Sequence, residues 1–132
     1  MLFRSLDRLG GDGYKGTATL HLVEVLALNG DFGEAERLCL TLRESINEDD
    51  VIDVVTLNAL QGFLTAQGAD HEQGEALSAR AVEVASKIDF YEAKGQAYEW
   101  QARTLALVGK RTEAREAATT RSEEHTSELQ SL

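Results

Sequence analysis

Apolar residues recur three and four positions apart along most of this chain. Ala35, Leu38, Leu42 and Ile46 follow that spacing, and so do Leu77, Ala81, Val84, Ala85 and Ile88. This is the signature of amphipathic helices. Two other segments are apolar on more than one face. One runs through Leu20, Leu22, Val23, Val25, Leu26 and Leu28; the other runs through Val54, Val55, Leu57, Leu60, Phe63 and Leu64. Helices of that kind are buried between neighbours. The β-branched run Val51-Ile52-Asp53-Val54-Val55-Thr56 has strand propensity, but Leu57, Leu60 and Leu64 continue it at helical spacing. The pattern predicts six helices, over 15–28, 32–46, 51–67, 71–87, 90–108 and 111–120. A further helix ends near Leu9, stopped by Gly10-Gly11.

Three glycine-marked turns punctuate this pattern: Asn29-Gly30-Asp31-Phe32, Gln67-Gly68-Ala69-Asp70 and Val108-Gly109-Lys110-Arg111. Their glycines lie 38 and 41 positions apart, a period expected of stacked helical hairpins. Glycine supplies the left-handed backbone that ends one helix and turns the chain into the next. Asp31 with Glu34, Asp70 with Gln73 and Asp89 with Glu92 have the spacing of capping boxes. Asp50 stands in a similar place before Val51, with Asp53 favouring the positive end of the helix. The fold expected is all-α, with about three antiparallel hairpins stacked as a solenoid whose first helices are sandwiched.

Composition narrows the function. Hydrophobic residues make up 42% of the 132 residues and there is no proline, which fits a folded domain better than a disordered one. No apolar run is long enough for a membrane span, and the start lacks the layout of a signal peptide. Cys39 is the only cysteine, so a disulfide framework and a multi-thiolate zinc site are excluded. The expected location is the cytoplasm. A net charge of −10 repels phosphate backbones and anionic lipid surfaces, so neither nucleic acid nor membrane is an expected partner.

Candidate chemistry is sparse. Gly11 and Gly16 have phosphate-loop spacing, but Thr17 stands where the lysine is required and no strand precedes it. The run from Gly10 to Thr17 reads as a linker. Glu48, Asp49, Asp50 and Asp53 lack the alternation, central glycine and distal glutamate of a calcium loop, and read as a solvated loop and helix cap. His21 and Glu24 share a helix face without a third ligand, while His71 and His125 are isolated. Cys39 has core spacing and reads as a small hydrophobe. Tyr98 and Trp100 read as packing between repeats. No catalytic triad or carboxylate pair stands out. The chain is not expected to be an enzyme, to carry a cofactor or to bind a metal.

Gly30-Asp31-Phe32-Gly33-Glu34-Ala35 and Gly109-Lys110-Arg111-Thr112-Glu113-Ala114 resemble the turn of the tetratricopeptide repeat, in which the alanine lets the second helix approach closely. The second pair departs from it: Gly74 takes the alanine position, with one residue inserted in the turn. The phrases Leu6-Asp7-Arg8-Leu9-Gly10, Asp49-Asp50-Val51, Ala79-Arg80-Ala81-Val82-Glu83-Val84-Ala85 and Leu105-Ala106-Leu107-Val108-Gly109-Lys110 are similar to the C-terminal repeat region of bacterial multidomain regulators. Those proteins join a nucleotide cyclase or DNA-binding domain to an ATPase module and then to such repeats. The resemblance implies a right-handed tetratricopeptide-like solenoid over residues 1–120, a fragment of a larger signalling protein. It also implies a concave groove at Thr17, Glu24, Asn58, Thr65, Gln96, Glu99 and Arg103, which would bind a peptide, a protein or an upstream domain. A small-molecule sensor and a structural spacer are the alternatives, and uncapped ends would favour self-association.

Residues 121–131, Arg121-Ser122-Glu123-Glu124-His125-Thr126-Ser127-Glu128-Leu129-Gln130-Ser131, resemble residue for residue the conceptual translation of a common short-read sequencing adapter. The expectation is that residues 121–132 are not native. With one arginine and three glutamates in that segment, residues 1–120 keep a charge of −8.

Overall fold

The structure is a computed structural model. It describes the backbone of residues 12–131 and the side chains of residues 16–123. The helix expected to end near Leu9 lies outside the described residues.

Six helices and no strand make up the described residues: α1 Asp12–Leu28, α2 Phe32–Ser45, α3 Val51–Gln67, α4 His71–Ala85, α5 Tyr91–Leu107 and α6 Arg111–Ser131. The run Asp12 to Thr17, read as a linker, is already helical. The β-branched run at Val51 is helical too. Its Val55, Leu57, Leu60 and Leu64 are almost wholly excluded from solvent, and that burial outweighs local propensity. None of the described helices is long and apolar enough to cross a membrane.

Each helix packs on the next one in sequence, and α3 also packs on α1 and α5. Alternate helices α1, α3 and α5 therefore lie side by side. α3 is enclosed by α1, α2, α4 and α5, which explains why it is apolar nearly all round. The main core joins Leu20 and Val23 of α1, Leu38, Cys39 and Leu42 of α2, the α3 leucines, Ala81 and Ala85 of α4, and Ala97 and Trp100 of α5. A smaller cluster, Leu105, Ala114 and Ala117, ties α6 to α5. Phe32, Phe63 and Trp100 form an edge-to-face chain across α2, α3 and α5, with ring centroids 6.0 and 5.1 Å apart. Trp100 thus packs between helices, the role expected of it as a large aromatic.

The turns correct two details of the sequence reading. Gly30 and Gly109 have positive φ, but in the middle turn the left-handed residue is Ala69, at φ 86°, and Gly68 is at −80°. Counted from Gly30, Ala69 and Gly109, the residues five positions on are Ala35, Gly74 and Ala114, and all three are buried. No insertion is needed, and the left-handed residues lie 39 and 40 positions apart. The caps are the second detail. Asp50 and Asp70 accept from the backbone N–H of Asp53 and Gln73 as expected. Asp31 sits at its N-cap without a side-chain bond, and Phe90, not Asp89, precedes α5.

An L-residue in the left-handed region costs about 1–2 kcal/mol, of which glycine's larger unfolded-state freedom takes back part. Ala69→Gly is therefore expected to raise stability by about 0.5–1 kcal/mol in urea titrations. Gly30→Ala and Gly109→Ala are expected to lower it. If Ala69→Gly destabilises the chain, the turn is not held in this conformation.

The adapter-like residues continue α6 as helix. Of their described side chains, Arg121 is half-buried, while Ser122 and Glu123 are more open to solvent. Ending the chain after Thr120 is expected to leave the melting midpoint nearly unchanged. A clear fall would mean that residues 121–132 stabilise the fold.

Candidate functional site

A trough runs where α1, α3 and α5 lie side by side. The backbones of α1 and α5 stay apart, with α3 between them. The trough holds a cavity of about 250 Å³ lined by Thr17, Leu20, His21 and Glu24 of α1, Ile52, Asp53 and Thr56 of α3, and Phe90, Glu92, Ala93 and Gln96 at the start of α5. These positions follow helical spacing: 17, 21 and 24 on α1, 52, 53 and 56 on α3, and 92, 93 and 96 on α5 each fall on one face.

Asp53 is the chemical centre of this surface. It sits in the first turn of α3, and the residue is only 6% exposed. The Thr17 hydroxyl lies 3.3 and 3.2 Å from its two carboxylate oxygens and donates to them. Burial pushes the pKa of Asp53 above the usual carboxylate range and Asp50 adds to the push; the Thr17 hydrogen bond and His21 act in the opposite direction. The expected solvated acidic loop is therefore half right: Asp49 is exposed, whereas Asp53 is drawn into the trough.

Glu24 accepts a hydrogen bond from Trp100 Nε1 at 3.3 Å, which fixes its carboxylate on α5 across the trough. Beyond it the trough continues past Tyr91, Glu92, Gly95, Gln96 and Glu99 to Arg121 of α6. Glu99 pairs with Arg103 at 3.7 Å, and the Arg103 guanidinium lies 5.0 Å from the Trp100 ring centroid. Such a contact orders a long cationic side chain along the aromatic face. At the other end, Val51, Ile52, Ile88 and Phe90 line a second, shallower depression with Asn47, Asp49, Asp50 and Asp89.

Of the seven groove residues expected from sequence, the structure brings Thr17, Glu24, Gln96 and Glu99 to the trough, with Arg103 held beside Glu99. Asn58 is not there. It is buried and accepts from Arg43 Nη2 at 2.9 Å, in the depression between α2, α3 and α4. Asn58 lies five residues from Asp53, roughly 140° around the helix, and so faces α2 and α4 and not the trough. Thr65, seven residues further on, shares the face of Asn58 and lines none of these depressions. Sequence reasoning missed Asp53, Thr56, Phe90 and Glu92. The detectable signal was an acidic residue inside an otherwise apolar helix start, with His21 and Thr17 at i and i−4 on the helix it faces.

Cys39 is fully buried against the core, and burial pushes its thiol up to about 12. The thiolate is the reactive form. The folded protein is expected to be inert to Ellman's reagent and to react with one equivalent in denaturant. Rapid modification of the folded chain would place Cys39 at an accessible site. Among the described residues, no group of three or more histidine, cysteine, aspartate or glutamate side chains is placed to hold a metal. No family model matches the chain, and no curated protein and no solved structure matches it either.

Proposed function

We propose that this chain is a tetratricopeptide-like helical repeat segment that binds an extended peptide or protein segment in the trough of α1, α3 and α5. The observation that carries the reading is the trough itself. Alternate helices contribute one face each to a continuous surface, with polar groups set among the apolar Leu20, Ile52 and Ala93. Hydrophobic lining with a few positioned polar groups is what peptide and ligand sites share. The repeat reading draws support from the common register of Gly30, Ala69 and Gly109 with the buried small residues five positions on. The concave side of such a stack is where repeat proteins carry recognition.

Filling the trough tests the reading. Peptides selected from a display library against the chain should lose binding to a Thr56→Trp, Gln96→Trp variant, whose added rings occupy the trough. They should keep binding to a variant altered at Glu36 and Arg37 on α2, which does not line it. Selection that yields no binder, or binders indifferent to the filled trough, contradicts the reading.

A further inference from the structure

We infer that the partner of this trough is a basic segment, one that alternates lysine or arginine with apolar side chains. The inference rests on the trough being the binding surface and deepens that reading by naming the chemistry of its occupant. Charge is distributed one-sidedly there. Among the described residues, the cavity between α1, α3 and α5 and the depression beside it are lined by Glu24, Asp53, Glu92, Asp49, Asp50 and Asp89, and by neither lysine nor arginine. The remaining ionisable side chain on that lining is His21. Low-dielectric walls lined by one sign of charge focus the field and draw in the opposite charge.

The second half of the match is apolar. Val51, Ile52 and Phe90 keep 37%, 39% and 40% of their surface exposed, although they sit together at the mouth of the trough. Single exposed apolar residues need no explanation, but a contiguous patch rimmed by charge marks an interaction surface. An extended segment presents successive side chains about 3.3 Å apart on opposite faces. One face can therefore reach the patch and Leu20 while the other meets the carboxylates. Asp53 gives the cation a particular anchor. It is a nearly buried carboxylate whose hydrogen bond across the trough comes from the neutral hydroxyl of Thr17, with His21 on the same facing helix. A buried carboxylate is stabilised most by an opposite charge within a few ångströms.

The charge pattern further on sharpens the expectation. Where the trough reaches α6, Arg121 joins Glu24, Glu92 and Glu99 on its lining. Arg121 belongs to the adapter-like segment, and removing it leaves Glu24, Glu92 and Glu99 as the charged side chains among the described lining of that stretch. Ending the chain after Thr120 is therefore expected to tighten binding of a basic segment.

Calorimetric titration with three peptides decides the matter: eight residues alternating lysine and leucine, and the same length with glutamine or glutamate in place of lysine. The lysine peptide is expected to bind, to weaken steadily with added salt, and to lose about 5–20-fold in affinity on Glu24→Gln with Glu92→Gln, the range set by loss of two charge contacts at a partly desolvated surface. The amide introduced by Glu24→Gln keeps an acceptor for Trp100, so the variant is expected to fold as before. The same number of charges removed at Glu36 and Glu44 on α2 should change affinity less than about 2-fold, since long-range attraction to an acidic body is screened. Equal loss in both variants would reduce the effect to net charge and overturn the inference. Equal binding of the glutamine peptide would leave the trough as a peptide site and overturn the basic partner alone. Binding of none of the three would overturn both.

Discussion

Replacing Gly74 by alanine is expected to destabilise the protein by about 1–3 kcal/mol, although alanine is the better helix former by nearly 1 kcal/mol. The reason is the crossing of α3 and α4. A Cβ at position 74 would stand 2.6 Å from the Gly62 carbonyl oxygen and 2.7 Å from the Ala66 nitrogen. Both are backbone atoms of a packed helix, so relief requires the two helices to part. Gly62 faces the same crossing: its Cβ would lie 2.8 Å from the Gly74 carbonyl oxygen and 2.9 Å from the Ser78 nitrogen. Ser78 Oγ is buried beside this crossing with no protein partner. Gly95 is the control. It lies within α5 with nothing near its missing Cβ, so Gly95→Ala should stabilise by about 0.5–1 kcal/mol. Opposite signs for the two glycines in urea unfolding are the expected result. A stabilised Gly74→Ala would mean that α3 and α4 do not approach this closely.

Trp100→Ala is the substitution with the largest expected cost, about 3–5 kcal/mol for deletion of a buried large aromatic. Trp100 is 3% exposed, meets Phe63 edge to face, and donates its indole N–H to Glu24. Losing it opens a cavity at the junction of α1, α3 and α5 and frees the Glu24 carboxylate. That cost is a large fraction of the roughly 5–15 kcal/mol that holds a typical domain together. Far-UV circular dichroism during urea unfolding reads the loss without relying on tryptophan emission. Glu24→Gln keeps an acceptor for the indole and should cost less than about 1 kcal/mol. If Trp100→Ala unfolds at nearly the parent midpoint, the core does not converge on this residue.

Much of the fold was legible because its signals are local. The helical spacing of Leu38, Leu42 and Ile46, and the all-round apolarity from Val54 to Leu64, fixed element type and most boundaries to within a few residues. Asp50 and Asp70 announced two helix starts. What was not legible depends on non-local packing. The left-handed position in the middle turn falls on Ala69, a residue whose type argues against it, so the register was assigned to Gly68 and an insertion was invoked to restore Gly74. The burial of Asp53 depends on Thr17, 36 residues away, and its local sign, an acidic residue at an apolar helix start, fits a solvated helix cap equally well. Thr17 and Glu24 on α1 and Gln96 and Glu99 on α5 reach the trough because each pair lies along one helical line that faces it. α3 is enclosed by α1, α2, α4 and α5, so its polar residues point to two different surfaces, and the sequence pattern does not separate Asn58 from Asp53 and Thr56.

Backbone amide shifts in the two-dimensional NMR spectrum of the labelled chain, followed while the lysine–leucine peptide is added, test trough recognition most directly. Saturable changes are expected at Thr17, His21, Ile52, Asp53, Thr56, Phe90, Glu92 and Gln96, with α2 and the outer face of α4 unmoved. Changes centred on α2 or α4, or none at saturating peptide, would contradict recognition through the trough.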